Sequence, residues 1–312
     1  MGSGPPRERR RDLDDRLADE WRVHRGLLLD VAYRMLGSIN DAEDVVQEAF
    51  ARLMRADLEQ IDDVRGWLVV VVTRLCLDQL RSARARHEAY VGPWLPEPLI
   101  ELPGEEPDPA DRVTLDDSVR MALLVVLERL SPAERAAFVL HDVFGFPFEA
   151  VGGIVGRSPA ACRQLASRAR RHIGSETSPA RFEVDPVVLH RVAERFIGAA
   201  SSGDLDALLE VLDPDVVGWT DTGSRGGAPR EAIAGRLRVA KTLLAFLRNW
   251  KVTLRPMAVN GEPGAIAYAG GEVLAVLAFE TRAGLITRIH AIAAPEKLAY
   301  VRSRLGAGPH AS

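Results

Sequence analysis

The sequence predicts a multidomain protein, two all-helical domains followed by an α+β domain. From Trp21 to Ile173 apolar residues recur at helical spacing, three or four positions apart. Two polar stretches, Val91 to Asp117 and Gly174 to Val184, interrupt the pattern and mark linkers. Beyond Val216 the spacing shifts toward short β-branched and apolar runs bounded by Gly or Pro, as strands require. At 312 residues the chain exceeds one small core. With 47% hydrophobic and 27% charged residues it has material for packed cores and no signature of wholesale disorder. Its longest apolar run, Trp67 to Val72, is too short to span a bilayer, and no apolar segment follows the charged N-terminus as a signal peptide requires. A cytoplasmic protein is expected. Cys76 and Cys162 lie far apart, outside any C-x-x-C or metal-ligand spacing, and read as small residues on partly buried helix faces. No metal or cofactor is predicted.

Residues 1–20 carry Arg7, Arg9, Arg10 and Arg11 beside Glu8, Asp12, Asp14 and Asp15, and read as a solvated, flexible tail. From Trp21 a helix presents Leu28, Val31, Ala32 and Met35 on one face and stops near Gly37. Asn40 with Glu43 three residues on predicts the N-cap of a second helix, whose apolar face is Val45, Val46, Ala49, Phe50 and Leu53. The opposite face is acidic at Asp41, Asp44 and Glu48. It is either a solvated side, with carboxylates favoured near a helix N-terminus, or a docking face for a basic or polar partner helix. A polar loop, Ala56 to Val64, leads into a long helix. Its first half is apolar; its second half carries Arg74, Arg81, Arg84, Arg86 and His87 against Asp78 and Glu88.

In the linker Val91 to Asp117, Pro93, Pro96, Pro98, Pro103, Pro107 and Pro109 exclude a continuous helix, and the acids extend the chain by self-repulsion. A stiff, negatively charged strap is expected. The second helical domain opens at Ser118 with a helix carrying Met121, Leu124, Val125 and Leu127. Ser131, Pro132 and Glu134 then supply the N-cap, N1 proline and capping-box partner of a helix Pro132 to Phe144. Phe146 to Ile173 predicts a helix-turn-helix, with its turn at Val155-Gly156-Arg157, Ser158 as N-cap and Pro159 at N1. In the first of these helices Gly152-Gly153 costs roughly 1 kcal/mol per glycine relative to Ala, which close packing against a neighbour would explain. In the second, Ala161, Leu165, Ala169 and Ile173 form the inward stripe, and Arg163, Gln164, Ser167, Arg168 and Arg171 face outward. Between Arg157 and His172 five arginines (157, 163, 168, 170 and 171) occur without an acid, in a chain of net charge -4. A local cationic face on an acidic protein suggests a phosphate-facing surface, although a charge run alone is also consistent with a solvated face.

The third domain opens with an amphipathic helix carrying Val188, Val192, Phe196, Leu189, Ala193 and Ile197, and Gly203-Asp204 precedes a second helix, LDALLEVL. Strands are expected at Val216–Thr220, Lys251–Val259, Ala265–Ala269, Val273–Glu280 and Leu285–Ala293. A helix separates the first two and another starts near Pro295. This order is α+β.

Three segments in order, AYRMLGSINDAEDVVQEAFARL, VRGWLVVVVTRLCLDQLRS and LERLSPAERAAFVLHDVFGFPFEAVGGIVGRSPAACRQLASRARR, resemble regions 2 and 4 of the extracytoplasmic-function (ECF) sigma factors of bacterial RNA polymerase. The resemblance implies that Asp41, Asp44, Gln47 and Glu48 dock on the clamp coiled coil of the polymerase β′ subunit. It implies that the loop Ala56 to Val64 and the helix through Arg74, Asp78, Arg81 and Arg84 capture the melted −10 element, where a single strand needs cations along its backbone. It further implies that Arg157, Ser158, Arg163, Gln164, Ser167, Arg168 and Arg171 divide between base edges and phosphates at the −35 element.

The element WLPEPL, Trp94 to Leu99, is similar to the linker signature of the SigJ-like subgroup, whose members carry a SnoaL-like C-terminal domain. The DGGGK-type loop of that domain falls on Asp221 to Arg225. Asp221 and Gly223 match and Arg225 keeps the charge, whereas Thr222 and Ser224 depart. The NPDKL-type motif falls on Ala294 to Leu298. Pro295, Lys297 and Leu298 match and Glu296 keeps the charge, whereas Ala294 departs. The resemblance implies that Trp94, Leu95, Asp221, Arg225, Pro295, Glu296 and Lys297 couple the third domain to the sigma domains in cis. It implies a SnoaL-like, NTF2-like cone whose bent sheet wraps a pocket, and an unidentified small ligand there is one possibility. Some SnoaL-like proteins are enzymes using Asp and His, for which Asp221, Asp206 and His290 are available. A lone His between Ile289 and Ile292 on a strand also reads as a satisfied wall residue.

The domains expected are a tail 1–20, sigma region 2 at 21–90, the linker 91–117, sigma region 4 at 118–173, a linker 174–184, the SnoaL-like regulatory domain 185–305 and a tail 306–312. The reading is a non-enzymatic sigma factor that binds core RNA polymerase and promoter DNA. The alternatives are a stand-alone DNA-binding regulator and a small-molecule enzyme fused to a DNA-binding module.

Overall fold

A computed structural model describes residues 6–87, 93–102, 113–114, 119–176, 186–223 and 231–306, with the side chains of 6–16, 59, 83–87, 175–176 and 186–189 outside that description. Its contacts divide into two compact units. Unit 1 holds Met1–Ser82, Glu106–Thr114 and Ser131–Arg168; unit 2 holds Ala83–Glu105, Leu115–Leu130 and Ala169–Ser312.

In unit 1, helix α1 spans Pro6–Leu36, so helical backbone already runs through most of the stretch expected as a flexible tail. Arg, Glu, Leu and Ala there are good helix formers, and Pro6 at the first position costs no hydrogen bond. Helix α2, Ile39–Leu53, starts one residue earlier than expected. Its N-cap is Ser38, whose hydroxyl accepts from the Asp41 N–H at 3.1 Å, and Asn40 lies inside the first turn. After a short 3₁₀ turn, Leu58–Gln60, Asp63 accepts from the Gly66 N–H at 3.0 Å and opens α3, Val64–His87. Leu28, Ala32 and Met35 of α1, Val45, Ala49 and Phe50 of α2, and Leu68, Val72 and Cys76 of α3 are all buried.

Ser131 and Glu134 form the expected capping box at the start of helix α5, Pro132–Phe138, which widens into a π-helical turn at Val139–Val143. Helix α6, Phe148–Val155, ends at Gly156, whose φ of 71° is the left-handed conformation that glycine adopts without strain. Ser158 then accepts from the Ala161 N–H at 3.2 Å and caps α7, Pro159–Glu176. The helix-turn-helix is therefore formed as expected. Gly152 explains itself: a Cβ there would lie 2.7 Å from the Arg157 carbonyl. At Gly153 nothing lies within 4 Å, so close packing accounts for the first glycine only.

Unit 2 is built on a seven-stranded sheet of order β1-β4-β5-β6-β7-β2-β3. The strands are β1 Ile100–Glu101, β2 Leu212–Asp221, β3 Ile233–Ala234, β4 Thr253–Val259, β5 Glu262–Ala269, β6 Glu272–Arg282 and β7 Leu285–Ile292. Antiparallel hairpins join β4 through β7, and β2 pairs with β7 in parallel, with Trp219 opposite His290 and Asp221 opposite Ile292. All the strands expected from the sequence are present. The linker strand β1 and the short β3 were not foreseen. β1 pairs antiparallel with β4, Ile100 opposite Val259, so this part of the proline-rich strap is a sheet edge.

Alternation along β6 separates two cores. Ala275, Leu277 and Phe279 face helices α8 (Pro186–Ser202), α9 (Leu205–Val211) and α10 (Arg236–Asn249), where Val192, Phe196, Leu208 and Val239 join them. Val276 and Ala278 face the other way, toward Leu95 and Ile100 of the linker, Met121 of helix α4 (Met121–Leu127), and Leu298 and Val301 at α11 (Ala299–Gly306). The first helix of the second helical domain thus packs on the sheet of unit 2. Among the described residues, no helix is long and apolar enough to cross a membrane.

Candidate nucleic-acid interface and linker latch

On α7 the small residues Cys162, Ala166 and Ala169 form the buried line, while Ala161, Leu165 and Ile173 are only half-buried. The inward stripe is therefore rotated from the one expected, because small side chains let helices approach most closely there. The opposite face keeps its expected character. Arg157, Ser158, Arg163, Gln164, Ser167, Arg168 and Arg171 are all exposed. Arg163 lies over the Phe148 ring at 5.5 Å and 3.5 Å from Glu149, which orients it along α6.

On α3, Arg74, Asp78 and Arg81 are exposed at positions i, i+4 and i+7 of one face, and Asp78 pairs with Arg81 at 3.1 Å. The Arg84 side chain, like those of Arg86 and His87, lies outside the described residues. Arg74 donates to the Gly153 carbonyl of α6 at 3.0 Å. Buried Arg135 of α5 donates to the Met35 carbonyl at the end of α1 at 2.8 Å, another link between the two helical segments. Arg34, also buried, donates to the Thr114 carbonyl while Asp30 accepts from the Thr114 N–H at 2.6 Å. Sequence periodicity gave no sign of these internal arginine contacts. A charged side chain on an otherwise apolar helix face was the available signal.

On α2, Asp44 and Gln47 are exposed, while Asp41 and Glu48 are half-buried, and Glu48 pairs with Arg52 at 2.8 Å. The acidic face exists as a continuous side of the helix.

In unit 2 the structure brings together Trp94, Leu95, Asp221 and Lys297. Asp221 is fully buried at the end of β2; its carboxylate accepts from the Leu95 N–H at 2.8 Å and the Gly223 N–H at 3.0 Å. The Lys297 ammonium lies 2.7 Å from the same carboxylate, donates to the Leu95 carbonyl, and sits 3.5 Å from the centre of the Trp94 ring. Both polar groups of Leu95 are thus held by one buried ion pair, and a cation on an aromatic face closes the cluster. Burial pushes the Lys297 ammonium below its ordinary pKa, opposed chiefly by the charge and hydrogen bond of Asp221. Glu296 is exposed, its carboxylate against Gly223, whose φ of 74° and lack of a Cβ permit the approach. Half-buried Pro295 offers its carbonyl to Arg302 at 3.3 Å. Arg225 and Ser224 lie outside the described residues.

Asn260 was missed. It is fully buried with φ 54°, accepts from the Leu99 N–H at 3.1 Å and donates to the Val119 carbonyl at 2.9 Å, tying the linker to the segment before α4. The Asn260-Gly261 pair between two apolar runs is a hairpin signal that could have found it.

A cavity of about 500 Å³ lies between α10 and the face of the sheet away from the linker, lined by Thr220, Phe246, Trp250 and Leu277 among others. None of Asp206, Asp221 and His290 lines it. Asp206 is exposed on α9, Asp221 is bonded to Leu95 and Lys297, and His290 pairs with buried Glu280 at 2.9 Å while stacking on Trp219. The three residues named for catalysis do not converge on one site.

Sigma-70 region 2 and Sigma-70 region 4 family models match residues 21–86 and 120–173. The chain is 46% identical over 297 residues to a probable ECF RNA polymerase sigma factor SigI of Mycobacterium tuberculosis, covering 94% of this chain and 99% of that one. It is 39% identical over 290 residues to the ECF RNA polymerase sigma factor SigJ of the same organism, covering 89% and 92%. The crystal structure of that SigJ superimposes with a TM-score of 0.73 at 38% identity, over 90% of this chain and 98% of that one. With both helical regions matched and relatives aligned along nearly their whole length, this chain belongs to the ECF sigma factors of RNA polymerase.

Proposed function

We propose that this sigma factor recognises a two-part promoter and is restrained in cis by its own C-terminal domain. Arg157 and Ser158 of the turn and the exposed face of α7 through Arg171 contact the −35 element, with the arginines on phosphates and base edges. The α3 face of Arg74, Asp78 and Arg81, continued by Arg84, contacts the melted −10 strand. The α2 face of Asp41, Asp44, Gln47 and Glu48 docks on the β′ clamp coiled coil of core polymerase. Trp94, Leu95, Asp221, Pro295, Glu296 and Lys297, with Arg225 beside them in sequence, form the regulatory junction. No step in this role calls for catalytic chemistry in the chain itself.

The observation that carries the restraint is the capture of the Leu95 N–H and carbonyl by Asp221 and Lys297. A linker held on the sheet at Leu95, Leu99 and Ile100 has that much less free length, whereas a sigma factor reaching two separated promoter elements needs slack. Arg74 already donates one of its five N–H groups to the Gly153 carbonyl, which fixes the direction from which a phosphate can reach the others. Promoter affinity is then lowered by the fraction of molecules in which these contacts are open.

Run-off transcription with core polymerase tests the reading. Replacing Arg163 and Arg168 with Ala should lower −35-dependent transcription by roughly tenfold or more, since each arginine on a base edge contributes about 1–3 kcal/mol. Unaltered promoter selection would remove α7 as the recognition face. A duplex footprint without polymerase, unaffected by changes at Asp44 and Gln47, would instead establish a stand-alone regulator.

A further inference from the structure

We infer that the cavity between the sheet and α10 is an effector site for an uncharged, flat, largely apolar small molecule, and that its occupancy is coupled to the Asp221–Lys297 latch. The cavity measures about 500 Å³, within the range of about 300–1,000 Å³ that small-molecule sites occupy. Among the described residues that line it none is charged, so an ionic ligand would lose its water without gaining a partner. Thr220, Thr222 and Thr242 supply hydroxyls for one or two polar groups on an otherwise apolar molecule. Phe246 and Trp250 of the α10 segment line the same space, yet they are 36% and 63% exposed and rank with the few large apolar side chains left open to solvent. Exposed aromatics on an apolar hollow have their surface covered when a flat ring system enters between them and the sheet.

The coupling follows from the strand pleat and rests on the latch reading above. Thr220 and Thr222 line the cavity, and Asp221 between them points to the opposite face, where it holds Leu95 and Lys297. Just past the end of β7, Ala293 lines the cavity while its N–H donates to the Asp221 carbonyl at 2.7 Å, and the turn from Ala294 leads directly to Lys297. Two adjacent strand ends therefore form the cavity wall on one side and carry the latch on the other. A ligand that bears on Thr220, Thr222 or Ala293 shifts the backbone from which both latch charges project, and by linkage the latch state alters ligand affinity by the same factor.

The test uses the full chain and aminoanthracene, an uncharged flat fluorophore. Saturable, equimolar binding is expected, abolished by Ala275→Phe, which fills the cavity, and weakened about fivefold by Trp250→Ala, whose exposed site should not endanger folding. Lys297→Met should change the probe's affinity about fivefold or more, and the probe should change hydrogen exchange at the Leu95 amide in the unsubstituted chain. Absence of saturable binding, or binding indifferent to both Trp250→Ala and Ala275→Phe, overturns the site. Binding that is lost on those substitutions but identical in Lys297→Met, with Leu95 exchange unmoved by the probe, overturns the coupling. Failure of the latch itself is a separate result: Lys297→Met would leave Leu95 exchange unchanged without any probe.

Discussion

Lys297 is the side chain on which the proposed cis restraint rests, and its energetics have a definite sign. Replacing it with Met leaves the buried Asp221 without its cationic partner, which should lower stability by about 3 kcal/mol, whereas Lys297→Met with Asp221→Leu should recover most of that loss. Chemical denaturation of the three chains checks this. Burial holds the Lys297 pKa below 10.5, the value expected in the unfolded chain, so between the two values the unfolded chain binds more protons. Stability from this group should therefore rise as pH increases toward 10.5, and the slope should vanish in Lys297→Met. At the two cysteines, burial raises both thiol pKa values, so neither should react with a thiol reagent until the chain is denatured. A thiol titration of native and denatured protein decides it.

Among the helices and strands, local chemistry was legible wherever it used neighbouring residues. Ser131, Pro132 and Glu134 announce α5, Ser158 and Pro159 announce α7, and Gly156 closes α6, because each works within one helical turn. At the start of α2 the sequence pointed to Asn40. Ser38, whose backbone is extended, serves as the cap in place of Asn40. The inward line of α7 was misplaced because Cys162 and Ala166 were not weighed as the small residues that permit close approach. The paired glycines of α6 give a prediction of opposite signs. Gly152→Ala should destabilise, since its Cβ would strike the Arg157 carbonyl, while Gly153→Ala, with open space around it, should stabilise by about 0.5–1 kcal/mol. Thermal melts of the two variants distinguish these outcomes.

Across the whole molecule, the order of helical, helical and α+β segments could be read from periodicity, and charge marked the acidic side of α2 and the basic side of α7, while only the family resemblance pointed to polymerase and promoter as their partners. The latch could not be read this way. Leu95 and Asp221 lie 126 residues apart, and Leu95 and Lys297 lie 202 apart, so only motif resemblance brought them together before the fold did. Nor does the sequence show that Leu95, Leu99 and Ile100 are buried on the sheet, since a proline-rich acidic stretch has the composition of a free strap. Run-off transcription with core polymerase at limiting sigma factor, comparing the unsubstituted chain with Lys297→Met, tests the cis restraint most directly. The account predicts that Lys297→Met, by freeing the Leu95 carbonyl and so weakening the hold on the linker, raises promoter-dependent output several-fold while the promoters selected stay the same; output equal to or below that of the unsubstituted chain, with the variant folded and bound to polymerase, would contradict it.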